Sequence, residues 1–70
     1  MDQAPERWLT TKEVAERLGV REATVRDWRF RRVGPRGVSL GRRTLRYPES
    51  EVERWLASKR EQEAARDGAA

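Results

Sequence analysis

Along the chain, apolar residues recur at helical spacing in three places and alternate in one. In LTTKEV (Leu9 to Val14), Thr10 is an N-cap with Glu13 three residues on, a capping box. Leu9 and Val14 hold the two positions of a hydrophobic staple across it. Val14, Ala15 and Leu18 form one stripe and Gly19 stops it, which predicts a first helix over residues 11–18. A second helix starts near Arg21, buries Val25 and Trp28 with Ala23 packing close, and runs to about Arg32. Gly34-Pro35 ends it, glycine taking the cap conformation and proline refusing to continue.

The next stretch, GVSLGRRTLRYP, alternates like a hairpin. Its expected register sets Leu40 against Leu45 and Val38 against Tyr47, so that these four share one apolar face. Ser39 and Arg46 then lie on the other face, and Arg42 and Arg43 make the tip. An isolated hairpin is marginal in water, so the apolar face is expected to rest on the helices. A last helix begins with Pro48 at its first position. Glu49 and Glu51 are in its first turn and Lys59 and Arg60 further on, as the helix dipole favours. Val52, Trp55 and Leu56 form its buried stripe. After Lys59, REQEAARDGAA is helix-forming but lacks an apolar face, which predicts a fraying extension ending near Gly68.

The order helix, turn, helix, hairpin, helix is that of a winged helix-turn-helix: mainly α, three helices, with a small β-hairpin wing. The expected division is a winged helix-turn-helix domain over residues 1–60 and a polar C-terminal tail, partly helical or disordered, over residues 61–70. The spacing of Ala15, Gly19 and Val25 sharpens this. Two helices crossing closely need a small residue at the crossing, a glycine in the tight turn and a branched residue to lock the second helix.

Composition narrows the function. With 70 residues only a small core is available, and Trp8, Trp28 and Trp55 are expected to supply much of it. There is no cysteine and no histidine, so thiolate and imidazole chemistry are absent; no metal, cofactor or catalytic set is expected. Glu49, Glu51 and Glu53 have no nucleophile beside them and read as helix-dipole partners. No apolar run reaches the ~20 residues of a membrane span and the N-terminus is acidic, so a soluble, cytoplasmic chain is expected.

Charge is arranged in blocks. Residues 1–16 balance at −2 and residues 47–70 at −2, whereas residues 17–46 carry ten arginines against Glu22 and Asp27, a balance of +8. A GC-rich genome would explain arginine over lysine but not the scarcity of acids. Concentrated on one helix and a hairpin tip, the block points to a polyanion rather than to a solvated surface. Cationic side chains on phosphates supply affinity, and those reaching base edges supply sequence choice. Arg26 and Arg29 are candidates for guanine, and Thr24 for a thymine methyl or a phosphate. Glu22 and Asp27 either accept from cytosine or orient a neighbouring arginine. Arg42, Arg43 and Arg46 suit phosphates and the minor groove.

From Trp8 to Lys59 the chain resembles the small MerR-type winged-helix domains of phage excisionases and AlpA-like regulators. The resemblance is carried by LTTKEVAERLGV, ATVRDW, LGRRTLRYPESEVERWL and the glycine-proline link. It implies that the second helix enters the major groove, through Arg21, Glu22, Thr24, Arg26, Asp27, Arg29 and Arg32. It implies also that the wing, through Ser39, Arg42, Arg43 and Arg46, lies on neighbouring phosphates or minor groove. Arg21 departs from the pattern, which has serine or threonine there, because arginine cannot accept a bond from the helix N–H groups. The long dimerisation helix and effector domain of full-length MerR activators are missing, which speaks against a ligand-sensing switch. The implied function is a non-enzymatic recombination directionality factor: copies bind adjacent sites on double-stranded DNA, bend it and assist an integrase. A small AlpA-like transcription regulator is the first alternative, and a basic module for an acidic protein or RNA the second. Recognition of RNA usually needs aromatics on the surface, whereas here they are expected in the core.

Overall fold

The structure is a computed structural model that describes residues 6–68. Its elements are β1 (Trp8–Leu9), α1 (Thr11–Leu18), α2 (Glu22–Phe30), β2 (Val38–Gly41), β3 (Thr44–Pro48) and α3 (Glu49–Gly68). The three antiparallel strands are ordered β1-β3-β2, and with the three helices they make a winged helix-turn-helix.

α1 forms where its local signals put it. Thr10 Oγ1 accepts from the Glu13 N–H at 3.0 Å and Glu13 Oε1 accepts from the Thr10 N–H at 2.8 Å, closing the capping box. Gly19, at φ 70°, turns the chain, and the Val20 N–H bonds back to the Ala15 carbonyl at 2.9 Å. Left-handed backbone of this kind suits glycine.

The core consists of Leu9, Val14, Ala15, Val25, Tyr47 and Val52, with Leu18, Val20, Trp28 and Leu45 packed around it. Val14, Val25 and Val52 are fully buried; burying a side chain of this size contributes about 1.5–3 kcal/mol each. Trp28 meets Trp55 of α3 with ring centroids 5.1 Å apart and planes tilted by 43°. Arg17 of α1 holds α3 from the other side, donating to Glu49 and, at 2.6 Å, to Glu53. After Lys59, whose ammonium lies 5.8 Å from the Trp55 ring centroid, residues 60–66 of α3 are exposed and show no apolar face.

Five expectations change. The helix at 22–30 ends before Arg32, and its cap is not Gly34. The Arg32 N–H bonds the Arg29 carbonyl and the Val33 N–H bonds the Trp28 carbonyl, a Schellman turn with Arg32 itself at φ 58°. Gly34, at φ 80°, serves instead to let the chain pass Trp28: a Cβ there would lie 2.9 Å from the Trp28 Cβ.

The hairpin register is shifted by one. Val38 pairs with Arg46 and Ser39 with Leu45, with an irregularity between Ser39 and Gly41. One residue of slip moves every side chain to the opposite face. Leu45 and Tyr47 therefore point inward while Val38 and Leu40 are exposed. The inward place near Tyr47 is held by Gly37, where a Cβ would come within 3.0 Å of the Tyr47 ring.

Trp8 is 44% exposed rather than in the core, and it sits on β1, a strand without a readable pattern of its own. Pro48 closes β3 instead of opening α3. The start of α3 is satisfied from upstream: Glu6 Oε1 accepts from the Ser50 N–H at 3.0 Å, and the Glu49 N–H donates to the Arg7 carbonyl.

Candidate nucleic-acid interface

α2 is positioned by Val25, which packs on Val14 and Ala15 of α1, and by Trp28 against Trp55. With these facing inward, the 3.6-residue period turns Ala23, Arg26, Asp27 and Phe30 outward, and all four are exposed. Phe30 is 87% exposed, a value that singles it out because a ring of this size is usually sheltered. Sequence reasoning passed over Phe30, although its spacing of four from Arg26 and seven from Ala23 places it on that face.

The acids of α2 are already engaged within the helix. Glu22 pairs with Arg26 at 3.2 Å and Asp27 with Arg31 at 3.0 Å, both four residues apart. In the free protein they therefore orient arginines. Thr24 is half-buried and lies off the outward face. Arg21 caps α2 only through its carbonyl, which accepts from the Thr24 and Val25 N–H groups; its side chain makes no capping bond. That carbonyl use leaves the exposed guanidinium uncommitted. Arg29 turns toward the wing and donates to the Gly37 carbonyl at 3.4 Å.

On the wing, Arg42 and Arg43 form the turn, Arg43 at φ 59°. The Thr44 hydroxyl donates to the Arg42 carbonyl and the Ser39 hydroxyl to the Gly41 carbonyl, so both hydroxyls serve the hairpin itself. Arg46 is half-buried; its guanidinium donates to the Leu45 carbonyl at 2.9 Å, and its charge helps hold Glu13 below the usual carboxylate range. The chief cause at Glu13 is the bond from the Thr10 backbone. Arg46 thus stands toward α1, apart from the tip.

Tyr47 lies beneath this surface. Among the described residues its hydroxyl is buried without a hydrogen-bond partner, and burial pushes its pKa up against the opposing influence of the Arg29 charge and of nearby Thr11.

Among the described residues, eight arginines have no carboxylate within 4.0 Å: Arg21, Arg29, Arg32, Arg36, Arg42, Arg43, Arg46 and Arg60. All but Arg60 belong to α2, the wing, or the segments beside them. Arg36, in the connecting loop, was not singled out from sequence; only its place inside the basic block pointed to it. The described residues hold no cluster of three or more metal-binding side chains, and none of their helices is long and apolar enough to cross a membrane.

The domain thus presents a short helix braced by a helical neighbour, a wing tipped with two arginines, and a set of cations lacking counter-charges. No curated protein and no solved structure matches the chain at a significant level. Residues 8–60, spanning β1 through the anchored part of α3, match the family model described as a helix-turn-helix domain. On that match and this architecture, the chain belongs to the helix-turn-helix domain family, which includes AlpA- and excisionase-like small DNA-binding proteins.

Proposed function

We propose that the protein is a sequence-specific DNA-binding accessory factor of the excisionase type, which binds attachment-site DNA, bends it and so promotes excision by an integrase. Membership of the helix-turn-helix family points to DNA as the ligand. The observation that carries the reading further is the separation of arginines into paired and unpaired sets. Arg7, Arg17, Arg54 and Arg66, away from α2 and the wing, all have carboxylate partners. The unpaired ones, Arg60 of α3 apart, gather where a groove-binding helix and a phosphate-gripping wing would need them.

In this reading α2 enters the major groove. Arg26, on the outward face, reads a base edge, while Glu22 keeps its guanidinium extended. Arg21 and Arg32, at the two ends of α2, take phosphates, as do Arg42 and Arg43. The domain comprises residues 1–60, with 61–70 as a tail. A small protein with few base contacts gains selectivity when several copies bind adjacent sites and bend the DNA. The protein has no catalytic role and acts in the cytoplasm on DNA.

The test is a footprint with bending analysis of the pure protein on DNA flanking its own gene, at two salt concentrations. Protected direct repeats, a bend and a steep salt dependence are expected. A single unbent operator would assign the protein to transcription regulation instead. The buried-aromatic argument against RNA does not extend to Phe30 and Trp8, which are exposed. RNA of matched length therefore belongs in the experiment as competitor, and preferential binding to it would overturn the DNA reading.

A further inference from the structure

Between α2 and β2 the chain curls around an open cleft of about 540 Å³. Arg29, Arg32 and Arg36 line it, together with Val33, Gly34, Pro35 and Gly37; no acidic residue does. None of the three arginines has a carboxylate within 4.0 Å among the described residues. Arg29 spends one N–H on the Gly37 carbonyl, across the cleft mouth, and keeps the rest of its fork.

The loop is braced. The Schellman turn fixes Arg32 in the left-handed region, Gly34 lies against Trp28 with no room for a Cβ, and Pro35 is buried. Gly37 is pinned in turn by the Tyr47 and Leu45 side chains. The backbone that carries the three arginines is therefore held by packing, and all three line the one cleft. Like charges lining one cleft repel one another, and an anion with several acceptor oxygens relieves that repulsion.

We propose that this cleft binds one phosphodiester of the DNA backbone, clamped at the junction of α2 and the wing. The proposal rests on the DNA-binding reading. Guanidinium forks match the paired non-bridging oxygens of a phosphodiester. The cleft falls in the ~300–1,000 Å³ range of small-ligand pockets, so it accommodates the attached sugar as well as the phosphate. The contact positions the protein without reading sequence. It assigns Arg29 to the backbone rather than to guanine and leaves Arg26 as the base-reading arginine of α2. It also gives Arg36 a role.

The test uses Arg36→Gln, an exposed side chain that makes no hydrogen bond among the described residues, and Arg60→Gln as control. Inorganic phosphate is titrated into the free protein while the backbone amides of Gly34, Arg36 and Gly37 and the arginine Nε–H signals are followed by NMR. Saturable shifts confined to the cleft, weakened several-fold by Arg36→Gln and not by Arg60→Gln, are expected. On DNA, the slope of log affinity against log salt should fall by about 0.9 for Arg36→Gln. Ethylation of one phosphate per bound copy should weaken the wild type and leave the variant little affected. DNA binding with an unchanged slope and no single ethylation-sensitive phosphate would overturn the clamp while leaving the DNA reading intact. Saturation by inorganic phosphate with no DNA bound at any salt would overturn both, and assign the cleft to a free phosphate compound.

Discussion

Replacing Arg32 with glycine is expected to stabilise the protein and weaken its hold on DNA. Arg32 sits at φ 58°, and the bonds around it, Arg32 N–H to the Arg29 carbonyl at 3.1 Å and Val33 N–H to the Trp28 carbonyl at 2.8 Å, require that conformation. A residue with a Cβ costs about 1–2 kcal/mol there. Glycine removes that cost but adds about 0.4–1 kcal/mol of unfolded-chain entropy. The net is roughly 0.5–1 kcal/mol of stabilisation, which for a domain of this size corresponds to about 2–8 °C in Tm. Arg32→Ala serves as the comparison, since it loses the charge and keeps the strain. For DNA, losing one phosphate contact at 0.15 M salt costs about fivefold in affinity, from a slope of ~0.9 per contact. Thermal unfolding followed by tryptophan fluorescence, together with DNA titrations of both variants, makes the measurement. The two variants should lose DNA affinity equally and differ in Tm, glycine above wild type and alanine not. Equal Tm values for the two would refute the claim that the left-handed turn is strained.

Gly37→Ala should destabilise by about 1–3 kcal/mol, as overpacking does, because the new methyl would lie 3.0 Å from the Tyr47 ring and 3.1 Å from Leu45 Cδ1; urea unfolding measures it. Arg42→Ala with Arg43→Ala should lower the salt slope of DNA binding by about 1.8 without changing Tm, and an unchanged slope would remove the phosphate role of the wing tip. Phe30→Ala should leave stability within about 0.5 kcal/mol, as for an exposed site, yet reduce DNA affinity, a pairing that a calorimetric scan and a DNA titration would check. The carboxyls of Glu6 and Glu13 are held below 4.5, Glu6 chiefly by Ser50 and Glu13 chiefly by the Thr10 backbone. Their contribution is complete above the unfolded carboxylate value and disappears as pH falls through the depressed folded values. With no histidine to titrate, Tm should be flat from about pH 5 to 8 and fall in acid; Glu6→Gln and Glu13→Gln should each flatten the acid limb.

What sequence made legible was local. The ends of α1 follow from Thr10, Glu13 and Gly19, three residues acting within one turn of themselves, and the structure reproduces them. The inward residues of α2 and α3 follow likewise from a period that neighbours do not alter. The hairpin register did not follow, because alternation is the same for two registers one residue apart, and the irregularity after Ser39 decides between them. Trp8 was misplaced because hydrophobicity says nothing about which face of a two-residue strand is covered. The left-handed turn fell on Arg32 rather than on the nearby glycine because the geometry of the helix end, and not residue preference, sets where it must come. At the interface, the basic block drew attention to the right segment, but the engaged acids, the inward-turned Arg46 and the cleft beside Arg36 are products of packing.

The strand order β1-β3-β2 has a mechanical consequence. β3 is the middle strand, and it passes from Pro48 straight into Glu49 of α3 with no loop between. Wing and terminal helix thus run on from the two sides of Tyr47, a residue locked in the core. The strand that carries the wing therefore also roots a helix of 20 residues, about 30 Å long, so that one buried strand sets the direction of both projections.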